Sequence, residues 1–426
     1  RGRLLATDSF SVAVRAQPGN LDALYALGSS HTAICRGITV QERHYQLMEA
    51  HRAMLMAAQT THRLPEAYAA GVLTPMQAVS TVDSWTRSHV THVLADFSLP
   101  LERTTSWKLA HDCDQLQFLL VRGILDARVF MPVIEEMQRA IQEVREREKG
   151  SQRLDSLQAL PSGPEYMHLR AVYNRLVYVR PASVIHGAAV NMGQDWTSVQ
   201  AKYLSMRHGI VHVDDFLELR AADELLAFVQ ESTFWHNIRN GYLGAFPIDG
   251  SNTPLALQIA DEVRGVLPDV LKDYELTYAG AYKHIVNGTG LALHVDGHAV
   301  SINIWLTPNE CNLAPGTGGM VVYNVAHEDV MTQEEFDHYP QRGPVKIPYR
   351  RNRAVIFYSD LYHQSDPYSF KDEYQCQRVN FSLLFGERKW KKRLTNQNGN
   401  FLYANAKELN ARLGNLPRDP FASYIA

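Results

Sequence analysis

Apolar residues recur at three- and four-residue steps through LDALYALG (21–28), ERHYQLMEAHRAMLMAAQ (42–59) and VFMPVIEEMQRAIQEVREREKG (129–150). That spacing predicts helices across roughly the first half of the chain. SQRLDSLQALPSGPEY (151–166), with Pro161, Ser162, Gly163 and Pro164, reads as a connector. From about Ile210 the texture changes to short alternating or β-branched runs: GIVHVDDF, ELTYAGAYKHIV, LALHVDG, VSINIWLT, GMVVYNV, GPVKIPY, NRAVIFY and RVNFSLLFG. Bounded by Gly, Pro, Asn and Asp turns, they predict the strands of a sandwich or barrel. LALQIADEVRGVLPDVL (255–271) interrupts them as a helix, and AKELNARLG predicts a short helix in the tail. The fold class expected is α+β: an all-α N-terminal region followed by a β domain.

At the N-terminus, Ala6, Phe10, Ala13 and Pro18, then Leu24, Leu27 and Gly28, sit at the offsets of about one tetratricopeptide (TPR-like) unit. An ordinary helical hairpin with a proline in its turn is the plain alternative. A repeat surface implies protein contacts through these helices, or a scaffold for the C-terminal half of the chain.

A chain of 426 residues with 45% hydrophobic content predicts two or more packing units. The net charge of −3, without a Lys/Arg block on a helical face, argues against nucleic-acid or membrane partners. Cys35, Cys113, Cys311 and Cys376 form no CxxC pair, so free thiols in a reducing compartment are expected. With no long apolar run and no signal pattern, the reading is a soluble, cytoplasmic protein. The first residue is Arg1, which suggests trimming or a fragment of something longer.

Three HxD triplets are present: His212/Asp214, His294/Asp296 and His327/Asp329. Roughly one would arise by chance, so the triplet alone says little. On a strand, residues i and i+2 share a face, so an imidazole and a carboxylate can meet one ion there. A second histidine from a later strand completes the 2-His-1-carboxylate set of non-haem iron oxygenases. His363 follows a β-branched run and lies 67 positions after Asp296, room for about four strands. From Asp329 the interval is 34, through what reads as loop and short helix; HVDDF runs into a helix with Asp215 as its cap. His294, Asp296 and His363 are therefore the expected metal ligands. Arg378, sharing a strand face with Asn380 and Ser382, could grip a carboxylate bidentately, although arginine on a strand is more often solvated or ion-paired.

With HVD at 294, YHQ at His363 and QRVNF at Arg378, the chain resembles the Fe(II)- and 2-oxoglutarate-dependent oxygenases. YAGAYKHIVNGTGLALHVD and NIWLTPNECNLAPGTGGMVVYN resemble a bacterial branch associated with N-terminal TPR-like helices. The likeness spans about 208 to 390. It implies a double-stranded β-helix (jelly-roll, cupin-like) and this organisation: helical region 1–160, connector 161–207, oxygenase domain 208–392, tail 393–426. It further implies Fe(II) as cofactor with O2 and 2-oxoglutarate as cosubstrates, Arg378 on the distal carboxylate, and Tyr282 and Asn303 as further contacts. The implied reaction is hydroxylation of an aliphatic C–H in a small molecule or a peptide or protein residue, with succinate and CO2 released. Asp296 stands where halogenases of the superfamily carry a small residue, which favours hydroxylation over halogenation and leaves desaturation or ring closure open. The rival reading is a non-catalytic metal-binding barrel with a helical interaction scaffold.

Other features read as decoys. Gly316, Gly318 and Gly319 lead into a strand rather than a helix N-terminus, against a phosphate cradle. His111 and Asp114 read as solvent-facing helix partners, and His284 and His298 as structural or as neighbours that support the ligands, rather than ligands themselves.

Overall fold

The computed structural model describes residues 10–15, 24, 27, 40–62, 102–151, 153–154, 156–285, 287–288, 290–329 and 343–387. The helix α1 (Val40–His62) precedes a helical hairpin, α2 (Ser106–Val121) and α3 (Ala127–Arg147), flanked by the two-residue strands β1 (Arg103–Thr104) and β2 (Gln158–Ala159). Thr105 caps α2 by accepting from the Lys108 amide, and Asp126 caps α3 by accepting from that of Arg128. The apolar stripe of α3, including Phe130, Val133, Ile134, Met137, Ile141 and Val144, packs on Leu109, Leu116 and Leu119 of α2. The next segment, with α4 (Met167–Val172) and α5 (Trp196–Leu204), adds Leu169 and Tyr173 to this cluster.

Next come β3 (Ile210–Val213), α6 (Leu219–Glu231), β4 (Asn237–Ile238), β5 (Tyr242–Ala245), α7 (Pro254–Val266) and α8 (Pro268–Leu271). Pro254 at the first turn and Thr253 as cap start α7 where the fixed φ of proline suits a helix. The remaining strands are β6 (Leu276–His284), β7 (His298–Trp305), β8 (Met320–Ala326), β9 (Pro344–Ile347), β10 (Ala354–Tyr358), β11 (Leu361–Ser365) and β12 (Arg378–Glu387). They form a seven-stranded antiparallel sheet, β3-β10-β7-β12-β6-β5-β4, and a three-stranded one, β11-β8-β9.

The large sheet is buried on both faces by strict alternation. Ile302, Ile304, Phe381, Leu383, Phe385, Ala279 and Ala281 turn to α6 and α7, with Phe228, Leu225 and Ile259. The opposite face meets the small sheet: Trp305, Val355 and Phe357 pack on Met320, Val322 and Leu361. Mixed with these are the polar side chains Ser301, Asn303, Asn380 and Ser382. Ser382 donates to Asn303 Oδ1 at 2.5 Å, and Asn380 donates to Ser382 Oγ at 3.3 Å. A polar row inside a sandwich is where the sequence departs from what packing alone would choose.

Several expectations change. Cys311 and Cys376 are joined (S–S 2.02 Å, Cα–Cα 5.1 Å) rather than free. Spacing hides this pair because the Asn312↔Phe370 bridge, not sequence proximity, brings the two segments together. Cys113 is a buried free thiol, and Cys35 lies outside the described residues. Asp215 does not cap α6: the cap position is Glu218, and Asp215 sits in a left-handed turn (φ 48) with its carboxylate on Arg350. The segment TFWHNIRNGYLGAFPIDGSN holds β4 and β5, with β5 paired to β6 and β4 at the sheet edge. Of the TPR-like positions, Ala6, Pro18 and Gly28 lie outside the described residues, as does the tail helix. Leu24 packs with Val14 and Ala57. Among the described residues no helix is long and apolar enough to cross a membrane.

Candidate metal centre

The segment around His294 is extended but is not a regular strand. It runs beside β11 through isolated bridges, His294↔His363 and Gly288↔Tyr368. His294 and His363 exchange both main-chain hydrogen bonds at 2.9 Å, and the Asp296 amide donates to the Ser359 carbonyl at 2.9 Å. Gly290 makes the turn into this segment at φ +64, and a Cβ there would lie 2.6 Å from the Ser365 side chain. Alternation then sorts the residues: Leu293 and Val295 pack outward on Val325 and Tyr362, while His294 and Asp296 face the space between the sheets.

There they meet His363. His294 Nε2 is 3.7 Å from Asp296 Oδ1, His363 Nε2 is 3.8 Å from Asp296 Oδ2, and the two rings are 4.1 Å apart. One donor atom from each lies within 4.8 Å of the others, a spacing that can hold a metal ion. Two ligands about 2.1 Å from a common ion can stand up to about 4.2 Å apart, so the observed gaps suit shared coordination.

Both imidazoles are oriented by the backbone. His294 Nδ1 lies 2.8 Å from the Ala292 carbonyl and His363 Nδ1 2.9 Å from that of Leu361. A carbonyl only accepts, so each Nδ1 carries a proton and Nε2 is the nitrogen left to ligate an ion at the centre. Burial, with the neighbouring His294, holds His363 down to about 4, so this ring is neutral near pH 7. Asp296 is fixed by the Ser301 hydroxyl at 2.6 Å, itself 2.8 Å from Ser359 Oγ. Burial works to raise the Asp296 carboxyl, but His363, His294 and the Ser301 hydrogen bond outweigh it, leaving it below its ordinary value. The donor set is thus two imidazole nitrogens and one carboxylate, the set that suits non-haem Fe(II) with open coordination positions.

Arg378 starts β12 and is 3% exposed. Its Nε donates to the Gly318 carbonyl at 2.7 Å and Nη2 to that of Gly319 at 3.3 Å. Nη1 is buried with no hydrogen-bond partner among the described residues. The glycine run that reads as a decoy is therefore the cradle of this guanidinium. Gly319 is required there, since a Cβ would fall 1.9 Å from the Ile347 carbonyl oxygen. Tyr349 and Tyr368 flank the guanidinium at 5.9 and 5.6 Å. Asp366, the acid that acts on it electrostatically, lies 3.1 Å from Lys346 Nζ. A buried cation with a free donor fits an incoming carboxylate.

Tyr282 and Asn303 lie on the same sheet, each across from β12: Tyr282 opposite Asn380, Asn303 opposite Ser382. Tyr282 O–H stands 3.3 Å from that of Tyr278, and burial raises its pKa.

The other HxD pairs are occupied elsewhere. Asp214 is gripped by Arg353 through Nε (2.5 Å) and Nη2 (2.9 Å), and His212 is exposed at the sheet edge. Asp329 binds Arg207 and His208, and His327 binds Tyr362.

His111, expected in solvent, is instead fully buried. Its Nδ1 is 2.9 Å from Asp112, and its Nε2 is 3.2 Å from Lys283 Nζ, which also donates to Tyr374 O–H at 2.8 Å. Lys108, also buried, pairs with Asp112. A lysine in the strand run YAGAYKHIV gives no warning of this, because its burial depends on α2 covering the far side of β6.

No protein-family model matches the chain, and no curated protein does either. Among solved structures it is similar to the non-heme alpha ketoglutarate dependent epimerase SnoN from nogalamycin biosynthesis. The identity is 18%, over 45% of this chain and 83% of that one, with a TM-score of 0.34. It is similar to a Trichoplax adhaerens prolyl hydroxylase in complex with a hypoxia inducible factor peptide fragment (15%, 46% and 94%, TM-score 0.31). EctD from S. alaskensis is a third (15%, 49% and 82%, TM-score 0.33). Each likeness covers less than half of this chain, and the chemistry rests on the side chains described above.

Proposed function

We propose that this chain is an Fe(II)- and 2-oxoglutarate-dependent oxygenase that hydroxylates an aliphatic C–H bond. The observation that carries the reading is the convergence of His294, Asp296 and His363, both imidazoles held by their Nδ1 protons with Nε2 toward a common point. The donor chemistry fits ferrous iron, and the unpartnered Nη1 of Arg378 fits an anionic cosubstrate. When bound, iron with 2-oxoglutarate and O2 supplies the oxidant for C–H cleavage, and succinate and CO2 are released.

The protein's own contribution is positional. His294 and His363 each present Nε2, Asp296 supplies the single negative charge, and Ser301 keeps one carboxylate oxygen from turning away. Arg378 holds the distal carboxylate of the cosubstrate, steadied by the Gly318 and Gly319 carbonyls. Tyr282 and Asn303, on strands of the same sheet, serve as further contacts. The substrate class that suits this reading is an amino-acid-like small molecule or a residue of a peptide or protein.

The test is succinate formation from 2-oxoglutarate with Fe(II) and O2, comparing the native chain with Asp296→Ala after metal loading is checked. Turnover by the native chain and its loss in the variant is the expected result. Metal binding with no turnover by the native chain would instead support the rival, a non-catalytic metal-binding barrel. Equal turnover by the variant would overturn the iron assignment.

A further inference from the structure

The strands β6 and β12 place His284 directly opposite Arg378 in register. Their neighbours Lys283 and Val379 are likewise opposite each other, and Val379 packs into the core under α6 and α7. Alternation therefore turns His284 and Arg378 together to the other face, between the sheets. His284 is 3% exposed, and neither ring nitrogen has a hydrogen-bond partner among the described residues. Asn380 stands near enough to act on the ring, yet lies outside hydrogen-bond geometry and gives its amide N–H to Ser382. Tyr368 touches both members of the pair, 5.1 Å ring to ring from His284 and 5.6 Å from the guanidinium. Tyr242 closes the other side of His284 at 5.6 Å.

A neutral imidazole carries one N–H, and a buried N–H without an acceptor is costly enough that native proteins rarely leave one. Here two orphan donors, one from His284 and Nη1 of Arg378, occur on directly opposed residues with a shared aromatic wall. A water could satisfy the imidazole. It could not neutralise the guanidinium, whereas a carboxylate with two oxygens answers both groups at once.

We infer that His284 is a second donor to the distal carboxylate of the cosubstrate, beside Arg378, and thereby selects a dicarboxylic keto acid over a monocarboxylic one. This rests on the function proposed above. It assigns a binding role to a residue whose sequence context reads as structural or as a support of the ligands.

The experiment uses the full chain loaded with Mn(II) under anaerobic conditions, titrated by calorimetry with 2-oxoglutarate and separately with pyruvate, which keeps the chelating end but lacks the distal carboxylate. His284→Phe, which preserves an aromatic ring between Tyr242 and Tyr368, is expected to weaken 2-oxoglutarate binding by about tenfold to a hundredfold. Pyruvate binding should change by less than about twofold, which also reports that the variant is folded and metal-loaded. His284→Asn, which restores an N–H donor, should recover part of the loss. If His284→Phe binds 2-oxoglutarate as the native chain does, or loses both keto acids equally, the role of His284 is overturned while the proposed function stands. A native chain that takes Mn(II) but does not bind 2-oxoglutarate overturns both.

Discussion

His294 and His363 donate their main-chain amides to each other's carbonyls at 2.9 Å, so the two proposed nitrogen ligands are one another's backbone partners. A one-residue slip of either segment would turn its imidazole to the opposite face, so this pairing fixes which side chains reach the centre. The turn that sets the register depends on Gly290, with its positive φ and the Ser365 side chain 2.6 Å from where a Cβ would sit. Gly290→Ala should destabilise the chain by about 1–3 kcal/mol and weaken metal binding in parallel. Denaturant midpoints together with Mn(II) titration check this; normal values of both would remove the register argument.

Ser301 offers a finer probe, because it touches the carboxylate of Asp296 without belonging to the proposed ligand set. Its hydroxyl holds Asp296 Oδ2 at 2.6 Å. Ser301→Ala should lower metal affinity by about 10–100-fold while leaving the fold intact. Calorimetric metal titration reads the change, and an unaltered affinity would mean that packing alone orients Asp296.

The HxD pair at 212 should report on stability, not on metal. The hydrogen bond from Arg353 holds Asp214 below the usual carboxylate range. A depressed carboxyl stabilises the fold above its unfolded value, about 3.9, and that contribution is lost as the pH falls through the folded value. Asp214→Asn should therefore be less stable than the native chain at pH 7, with the gap narrowing from about pH 4 downward. Urea midpoints at pH 7, 4 and 3 check this, and a gap independent of pH would contradict it. Metal affinity should not move.

Lys108, buried behind β6, pairs with the largely covered carboxylate of Asp112. Lys108→Met leaves the carboxylate without its cation and should cost about 3–5 kcal/mol. The double variant Lys108→Met with Asp112→Leu should regain much of that stability, since replacing both partners removes the stranded charge. Recovery no better than in the single variant would show that the lysine acts by packing.

Legibility in the chain tracks the range of the interactions involved. The i, i+2 relation of His294 and Asp296 is local, and the β-branched run before His363 marks a strand, so the three proposed ligands and their convergence are visible in one dimension. Arg378 is legible as a residue type on a strand face, but its cradle is not. The glycines at 318 and 319 invite comparison with a phosphate loop, and only the packed fold turns their carbonyls to a guanidinium. His284 and Lys283 are consecutive letters with opposite surroundings, and nothing short of cross-strand register and the placement of α2 separates them. The Cys311–Cys376 pair is hidden in the same way, by contacts between segments 65 positions apart.

That disulfide ends two residues before Arg378, in the turn that leads into β12. The ligand set of the proposed iron centre favours a reduced ion, while the sulfurs that lead into the strand bearing Arg378 are in their oxidised state. The two halves of the proposed site then have opposing redox demands. A thiol reductant added to keep the metal ferrous would loosen the approach to Arg378, whereas a reductant unable to cleave disulfides would serve both.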